Sequence, residues 1–126
     1  MKVFTLKQPW ATLVAEGIKK YEFRSWKTNY RGELFINAGQ GVDKEAMEKV
    51  KHLGLSFPSK RIIASVKLAE CYELNDDLNK IIIEEKNIAY GDKYRNGFAW
   101  KLEVIKKINN NHEVSGKLGL WNLEEN

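Results

Sequence analysis

The chain has 126 residues, of which 43% are hydrophobic and 30% charged, a balance typical of a globular domain and too apolar for a disordered chain. We expect residues 1–126 to form a single domain, because most domains are of about this size. The net charge of +4 permits a polyanionic partner without requiring one.

Residues that the chain lacks exclude further classes of protein. No apolar run approaches the roughly 18 residues that span a bilayer, so we expect no membrane partner. The start has no secretory signal pattern and Cys71 is the only cysteine, so we expect a cytoplasmic protein without disulfides. His52 and His112 lie far from Cys71 in sequence, and the GQG stretch at 39–41 is too short for a phosphate-binding loop. We therefore expect no metal and no cofactor.

The first third of the chain alternates between short strands and a helix. Residues 3–6 predict a strand, and Pro9 is well placed to begin a helix, where its missing N–H is not needed. Gly17 favours the left-handed conformation that ends such a helix. A charged strand over 19–26 follows, and after a turn the alternating stretch at 32–39 predicts another strand.

The remainder predicts two more helices and three more strands. Asp43 is typical of a helix N-cap. The predicted elements are a helix over 43–53, a long strand over 61–74, a helix over 76–86 whose isoleucines would also suit a strand, a loop over 87–97, and strands over 98–108 and 116–123. Five to six strands with about three helices lack a regular βαβ alternation, so we expect an α+β fold: a small mixed or antiparallel β-barrel with peripheral helices.

An unusual density of charge marks the stretch GIKKYEFRSW at 17–26. Side chains alternate between the two faces of a strand. The alternation puts Tyr21 and Phe23 on a face that points into the core. The other face points outward or into a cleft and carries Lys20, Glu22, Arg24 and Trp26.

Three interpretations of this charged face stay open from the residues alone, the third being a proton shuttle in which Lys19 or Lys20 acts beside a carboxylate. Glu22 and Arg24 would form an ion pair worth under ~1 kcal/mol if the face is simply solvated. In a cleft, the planar fork of Arg24 suits a phosphate or a base edge, and Glu22 offers an acceptor to an amino group. Basic residues interleaved with aromatics are typical of nucleic-acid binding. Convergence of these side chains on a concave site of nucleotide size would favour the second interpretation.

The spacing also matches a family pattern, G-x-K-x-x-E-x-R. Its residues here are Gly17, Lys19, Glu22 and Arg24, flanked by Leu6, Gln8, Pro9 and Trp10 before and by Ser25-Trp26 and Arg31-Gly32 after. With the late stretches GFAWKLE and GKLGLWN, the chain resembles the ASCH domain family in its transcription-coactivator-like branch. The resemblance implies a PUA-like fold, a compact β-barrel with peripheral helices.

The resemblance implies binding of RNA, single-stranded nucleic acid or a nucleoside in a polar cleft with a basic rim. Gly17 would make the turn of the motif. The expected binding residues are Lys19, Glu22 and Arg24 in the pocket, Trp26 and Trp10 as aromatic walls, and Lys20, Lys27 and Arg31 for phosphate attraction. Trp10 could instead pack in the core, and core packing is the role that we expect for Trp100 and Trp121.

An enzyme is the alternative, since some bacterial relatives hydrolyse N4-acetylcytidine and ribonuclease activity has been proposed for others. Lys19 would then be the catalytic acid or base and Glu22 its partner. Those amidohydrolases have a threonine where this chain has Glu22, and a carboxylate would repel the developing oxyanion. Asn37 stands where relatives often have histidine, which removes a proton carrier. We therefore favour binding over catalysis, with a protein-interaction module as the third possibility.

Overall fold

The computed structural model describes residues 1–75, 97–109 and 111–124. The predicted helix over 76–86 and all but the last residue of the loop over 87–97 lie outside these ranges. The described elements are β1 (Lys2–Gln8), α1 (Trp10–Ala15), β2 (Tyr21–Arg24), β3 (Gly32–Val42), α2 (Lys44–Val50), a 3-10 turn (Lys51–Leu53), β4 (Arg61–Glu73), β5 (Phe98–Lys107) and β6 (Leu120–Asn122). Neither described α-helix is long or apolar enough to cross a membrane.

The strands form one mixed sheet of six, in the order β2-β5-β4-β3-β1-β6. β1 and β3 run parallel, and every other pair is antiparallel. Within the described ranges no pairing joins the edge strands β2 and β6. The fold is therefore α+β as predicted, but the predicted closed barrel is not confirmed, and two α-helices rather than about three are described. The edge strands have only four and three residues, which leaves little backbone for a closing ladder.

Although its hydrogen bonding is open, the sheet bends so that side chains of non-neighbouring strands meet on one face. The register shifts within the β3–β4 and β4–β5 ladders, and such bulges bend and twist strands. Phe4 of β1 consequently stacks on Trp100 of β5, with ring centroids 4.8 Å apart. The Arg24 guanidinium at the end of β2 lies over the same Phe4 ring, 4.8 Å from its centroid. β1 and β2 thus face one another across the concave side of the sheet.

Helix α1 packs into this concave side and completes the main core. Its Ala11 and Val14 are fully buried. The other buried members include Phe4, Leu6, Leu34, Ile36, Val66, Leu68, Trp100 and Leu102. The predicted end of the helix is confirmed, since Gly17 has a φ of +74°. The predicted cap of the second helix is confirmed as well, because the Asp43 carboxylate accepts from Ala46 N at 3.1 Å.

Gln8 fastens the start of α1 to the loop before β4. Its side chain is 2% exposed, donates to Pro58 O at 2.8 Å and accepts from Thr12 N at 3.0 Å. The Thr12 hydroxyl in turn donates to Ser56 O at 3.1 Å. The glutamine of the L-x-Q-P-W stretch therefore stabilises the fold by joining α1 to this loop.

Replacing Gln8 with alanine should lower the free energy of unfolding by about 2 kcal/mol, because buried partners of the amide lose their hydrogen bonds. Urea denaturation followed by circular dichroism measures this change. Gln40→Ala is the matched control, since Gln40 is exposed on β3 and should change stability by under about 0.5 kcal/mol. Equal stability of the two variants would contradict the anchoring role of Gln8.

Candidate functional site

A cleft of about 1010 Å³ opens between β1 and β2. β6 pairs with β1 only through Lys2, Val3 and Phe4, so from Thr5 onward this edge of β1 has no described strand partner and forms the floor of the cleft. The walls come from 22–26 on one side, from 39–41 on another and from 116–119 on a third. This volume is at the upper end of the roughly 300–1,000 Å³ of small-ligand sites, which is ample for a nucleotide.

Glu22 is the most buried charged residue that lines the cleft, with 7% of its surface exposed. Two cations flank its carboxylate: Lys19 Nζ lies 3.6 Å from Oε2, and Arg24 NH1 lies 3.5 Å from Oε1. Both distances exceed the usual length of a hydrogen bond, and the buried Oε2 has none. The two cations therefore offset the charge of the carboxylate, but its oxygens can still accept hydrogen bonds.

Lys19 holds this carboxylate from behind rather than from the cleft. Its side chain is 2% exposed, its Nζ donates to Tyr21 O, and its ammonium lies 4.8 Å from the centroid of the Phe23 ring. The backbone N–H of Lys19 donates to Leu13 O at 3.0 Å, so Lys19 still belongs to the turn that follows α1. β2 begins only at Tyr21, so strand alternation does not apply to Lys19. The Lys19 side chain therefore reaches Glu22, whereas Lys20 is exposed.

Aromatic rings supply much of the remaining wall, and Trp26 is the most exposed of them at 39%. Its indole meets the buried Trp100 edge-on, with centroids 4.7 Å apart. Trp10 is half-buried and also lines the cleft, whereas Trp121 is buried away from it, as expected for core packing. Tyr21 packs with Ala99 in a small cluster outside the main core.

Three predicted phosphate contacts lie away from this wall. Lys20 and Lys27 are exposed and are not among the residues that line the cleft. Arg31 pairs with Glu70 at 3.1 Å and donates to the carbonyls of Thr28 and Tyr30. Their role in phosphate attraction stays a prediction.

The structure adds cleft residues that sequence reasoning missed. Lys7 and Lys117 bring positive charge to the walls, and Leu118, whose side chain is 99% exposed, lies at the rim. Sequence spacing gives no sign of this grouping, because the pairing of β1 with β6 joins distant parts of the chain. The available signal was the glycine-flanked GKLG stretch at 116–119.

Asn37 lies behind the floor of the cleft and is fully buried. Its Nδ2 donates to Thr5 Oγ1 at 3.2 Å, and Trp121 Nε1 donates to the same oxygen at 3.0 Å. Asn37 does not itself line the cleft, so here it supports Thr5, which does.

Comparison with known proteins identifies a family that the chain matches over most of its length. The chain matches the ASCH domain model over residues 4–112. It is 53% identical over 53 residues to human (Homo sapiens) Activating signal cointegrator 1. This alignment covers 42% of the present chain and 9% of the human protein. The mouse (Mus musculus) protein of the same name is 53% identical over 34 residues, or 27% of this chain and 6% of that protein. These alignments thus span under a tenth of the relatives' length. Because the family model covers most of its length, the chain belongs to the ASCH domain family.

Proposed function

We propose that the protein binds single-stranded RNA and takes one unpaired nucleotide into the cleft between β1 and β2. The observation that carries this proposal is the convergence of Glu22, Arg24 and Trp26 on one concave site. Glu22 and Arg24 offer an acceptor beside a donor, which suits the edge of a base, and Trp26 offers a surface on which a base can stack.

The charges around the cleft support a polyanionic ligand. Arg24, Lys7 and Lys117 line it together with the acidic Glu22 and Asp43, and one of those carboxylates is already paired. Positive groups on opposite walls would meet the phosphates on either side of a bound nucleotide. Affinity should then fall as salt rises, with a log–log slope of about −0.7 for each phosphate neutralised on a single strand.

Trp26→Ala should weaken binding of a short single-stranded RNA about tenfold, since base stacking on an aromatic ring contributes about 1–3 kcal/mol. Fluorescence anisotropy with a labelled oligonucleotide measures the affinity. Tyr72→Ala is the matched control, because Tyr72 is 38% exposed against 39% for Trp26 but lies on β4 outside the cleft. If RNA affinity falls equally in both variants, or is unchanged in both, the cleft is not the binding site.

A second candidate is hydrolysis of a modified nucleoside such as N4-acetylcytidine, favoured by the close approach of Lys19 to Glu22. Lys19 lies behind Glu22 and does not line the cleft, so the binding proposal expects no turnover. Chromatography of N4-acetylcytidine incubated with the protein distinguishes the two. Release of acetate that is lost in Lys19→Met, with the fold retained, would favour the enzyme. A cytoplasmic location stays a prediction.

A further inference from the structure

We infer that the nucleotide taken into the cleft carries a base with an exocyclic amino group, so that cytosine, adenine and guanine are preferred over uracil. This inference rests on the proposed function, and it assigns the choice of base to Glu22. It begins from the unused acceptor capacity of a carboxylate that is nine-tenths buried and lines the cleft.

An ionised carboxylate only accepts hydrogen bonds, and a buried acceptor without a donor is destabilising. Glu22 Oε2 is in that state, with Lys19 Nζ held at 3.6 Å while it donates to Tyr21 O. Glu22 Oε1 is 3.5 Å from the nearest guanidinium nitrogen of Arg24. The unpaired Oε2 is itself buried beside Lys19, so a ligand in the cleft reaches the carboxylate at Oε1. This oxygen is farther from Arg24 than a hydrogen bond allows and has room for an N–H donor.

Arg24 restricts which donors fit. Its guanidinium, 31% exposed, lies over the Phe4 ring next to the carboxylate, and it can only donate. A ligand edge placed against both side chains must offer an N–H to Glu22 and an acceptor to Arg24. Cytosine offers its N4 amino group beside N3, and adenine its N6 amino group beside N1. Guanine offers two neighbouring donors beside O6.

Uracil fits this pair of side chains poorly. It has a carbonyl where cytosine has the amino group, and a carbonyl oxygen facing a carboxylate is repelled. Turning uracil so that N3–H faces Glu22 puts a carbonyl on both sides of the donor. Only one of these can accept from Arg24, and the other stays beside the carboxylate. Phosphate contacts do not depend on the base, and cytosine and uracil offer rings of the same size to Trp26, so the difference between these two comes from Glu22.

The test measures binding of the full chain to three labelled RNAs: an oligouridine, the same oligonucleotide with one central cytidine, and one with N4,N4-dimethylcytidine at that position. Dimethylation keeps the ring and removes both N–H donors. We expect the cytidine RNA to bind about tenfold more tightly than the other two, as one well-placed hydrogen-bonding pair provides about 1–3 kcal/mol of discrimination. Glu22→Gln should bind the oligouridine and the cytidine RNA alike, since an amide can accept or donate.

Each outcome decides between the two proposals. Equal binding of all three RNAs by the unaltered protein overturns the inference and leaves the proposed function standing. A preference for cytidine that persists in Glu22→Gln overturns the assignment to Glu22. Binding of no RNA at low salt overturns the proposed function and this inference with it. Glu103→Gln, on the exposed part of β5 outside the cleft, should keep the full preference. The comparison of the oligouridine with the cytidine RNA needs no variant and adds no bulk at the base edge, so it tests the inference even if Glu22→Gln fails to fold.

Discussion

Replacing Lys19 with methionine should lower the free energy of unfolding by about 3 kcal/mol, because it leaves the buried Glu22 carboxylate without one of its two cations. Methionine has a similar length and suits the aromatic surroundings, as Lys19 Nζ lies 5.4 Å from the Trp10 ring centroid and 4.8 Å from that of Phe23. The loss therefore comes from charge and from the hydrogen bond that Lys19 Nζ donates to Tyr21 O, and not from packing volume. Arg24 remains 3.5 Å from Glu22, which keeps the effect near the lower end of the range for a broken buried pair.

A double-mutant cycle measured by urea denaturation separates this interaction from other effects. Glu22→Gln in the Lys19→Met background should restore much of the lost stability, since a neutral amide needs no cation. Lys51→Met is the control: Lys51 lies only 2.8 Å from Glu48, but both side chains are 72% exposed. The hydrogen bond with Glu48 raises the pKa of Lys51, yet solvent screens this pair, so no measurable change in stability is expected. Additive effects of Lys19→Met and Glu22→Gln would show that the two residues are not coupled.

Gly97→Ala should be about as damaging, lowering the free energy of unfolding by roughly 3 kcal/mol. Gly97 precedes β5 with a φ of +154°, and an added Cβ would lie 2.5 Å from Arg24 O and 3.2 Å from Ser25 Cα. Both obstacles are backbone atoms, so relief requires moving the end of β2 away from β5. Because that end carries Arg24 and Trp26 into the cleft, RNA affinity should fall together with stability.

Gly54→Ala is the matched control for backbone strain. Gly54 has a φ of +67° after the 3-10 turn, and an added Cβ would meet nothing within 4 Å. This variant should lose only the roughly 1–2 kcal/mol of a left-handed alanine and should bind RNA normally. Thermal unfolding together with anisotropy measures both quantities. An equal loss of stability in the two variants, with RNA binding intact in Gly97→Ala, would contradict the close approach of Gly97 to β2.

Local features of the sequence predicted the elements well, because the interactions that form them are local. Gly17 and Asp43 end and begin helices through contacts within a few residues. Strand alternation failed at Lys19 because the turn after α1 continues through it, a boundary that depends on a hydrogen bond to Leu13 O. Only the family motif indicated that Lys19 belongs with Glu22.

The cleft as a whole was harder to predict, because its walls come from distant parts of the chain. Glu22 and Arg24 were expected to share a face, and they do line one site. Lys7 and Lys117 come to line one cleft only through the pairing of β1 with β6, for which no short-range pattern exists. The barrel was inferred from the number and arrangement of the predicted strands and helices and from the family resemblance. Neither determines whether the edges of a curved sheet pair.

The pairing of β1 with β6 also has a consequence for the order of assembly. Thr5 and Trp121, whose hydrogen bond supports the floor of the cleft, are 116 positions apart. During synthesis the β2 side of the cleft emerges first, and the 116–119 side can join it only after the intervening residues have been made. Under the binding proposal, a nucleotide in the cleft contacts both of these segments at once. Saturating RNA should therefore raise the unfolding temperature, because it binds the folded state alone.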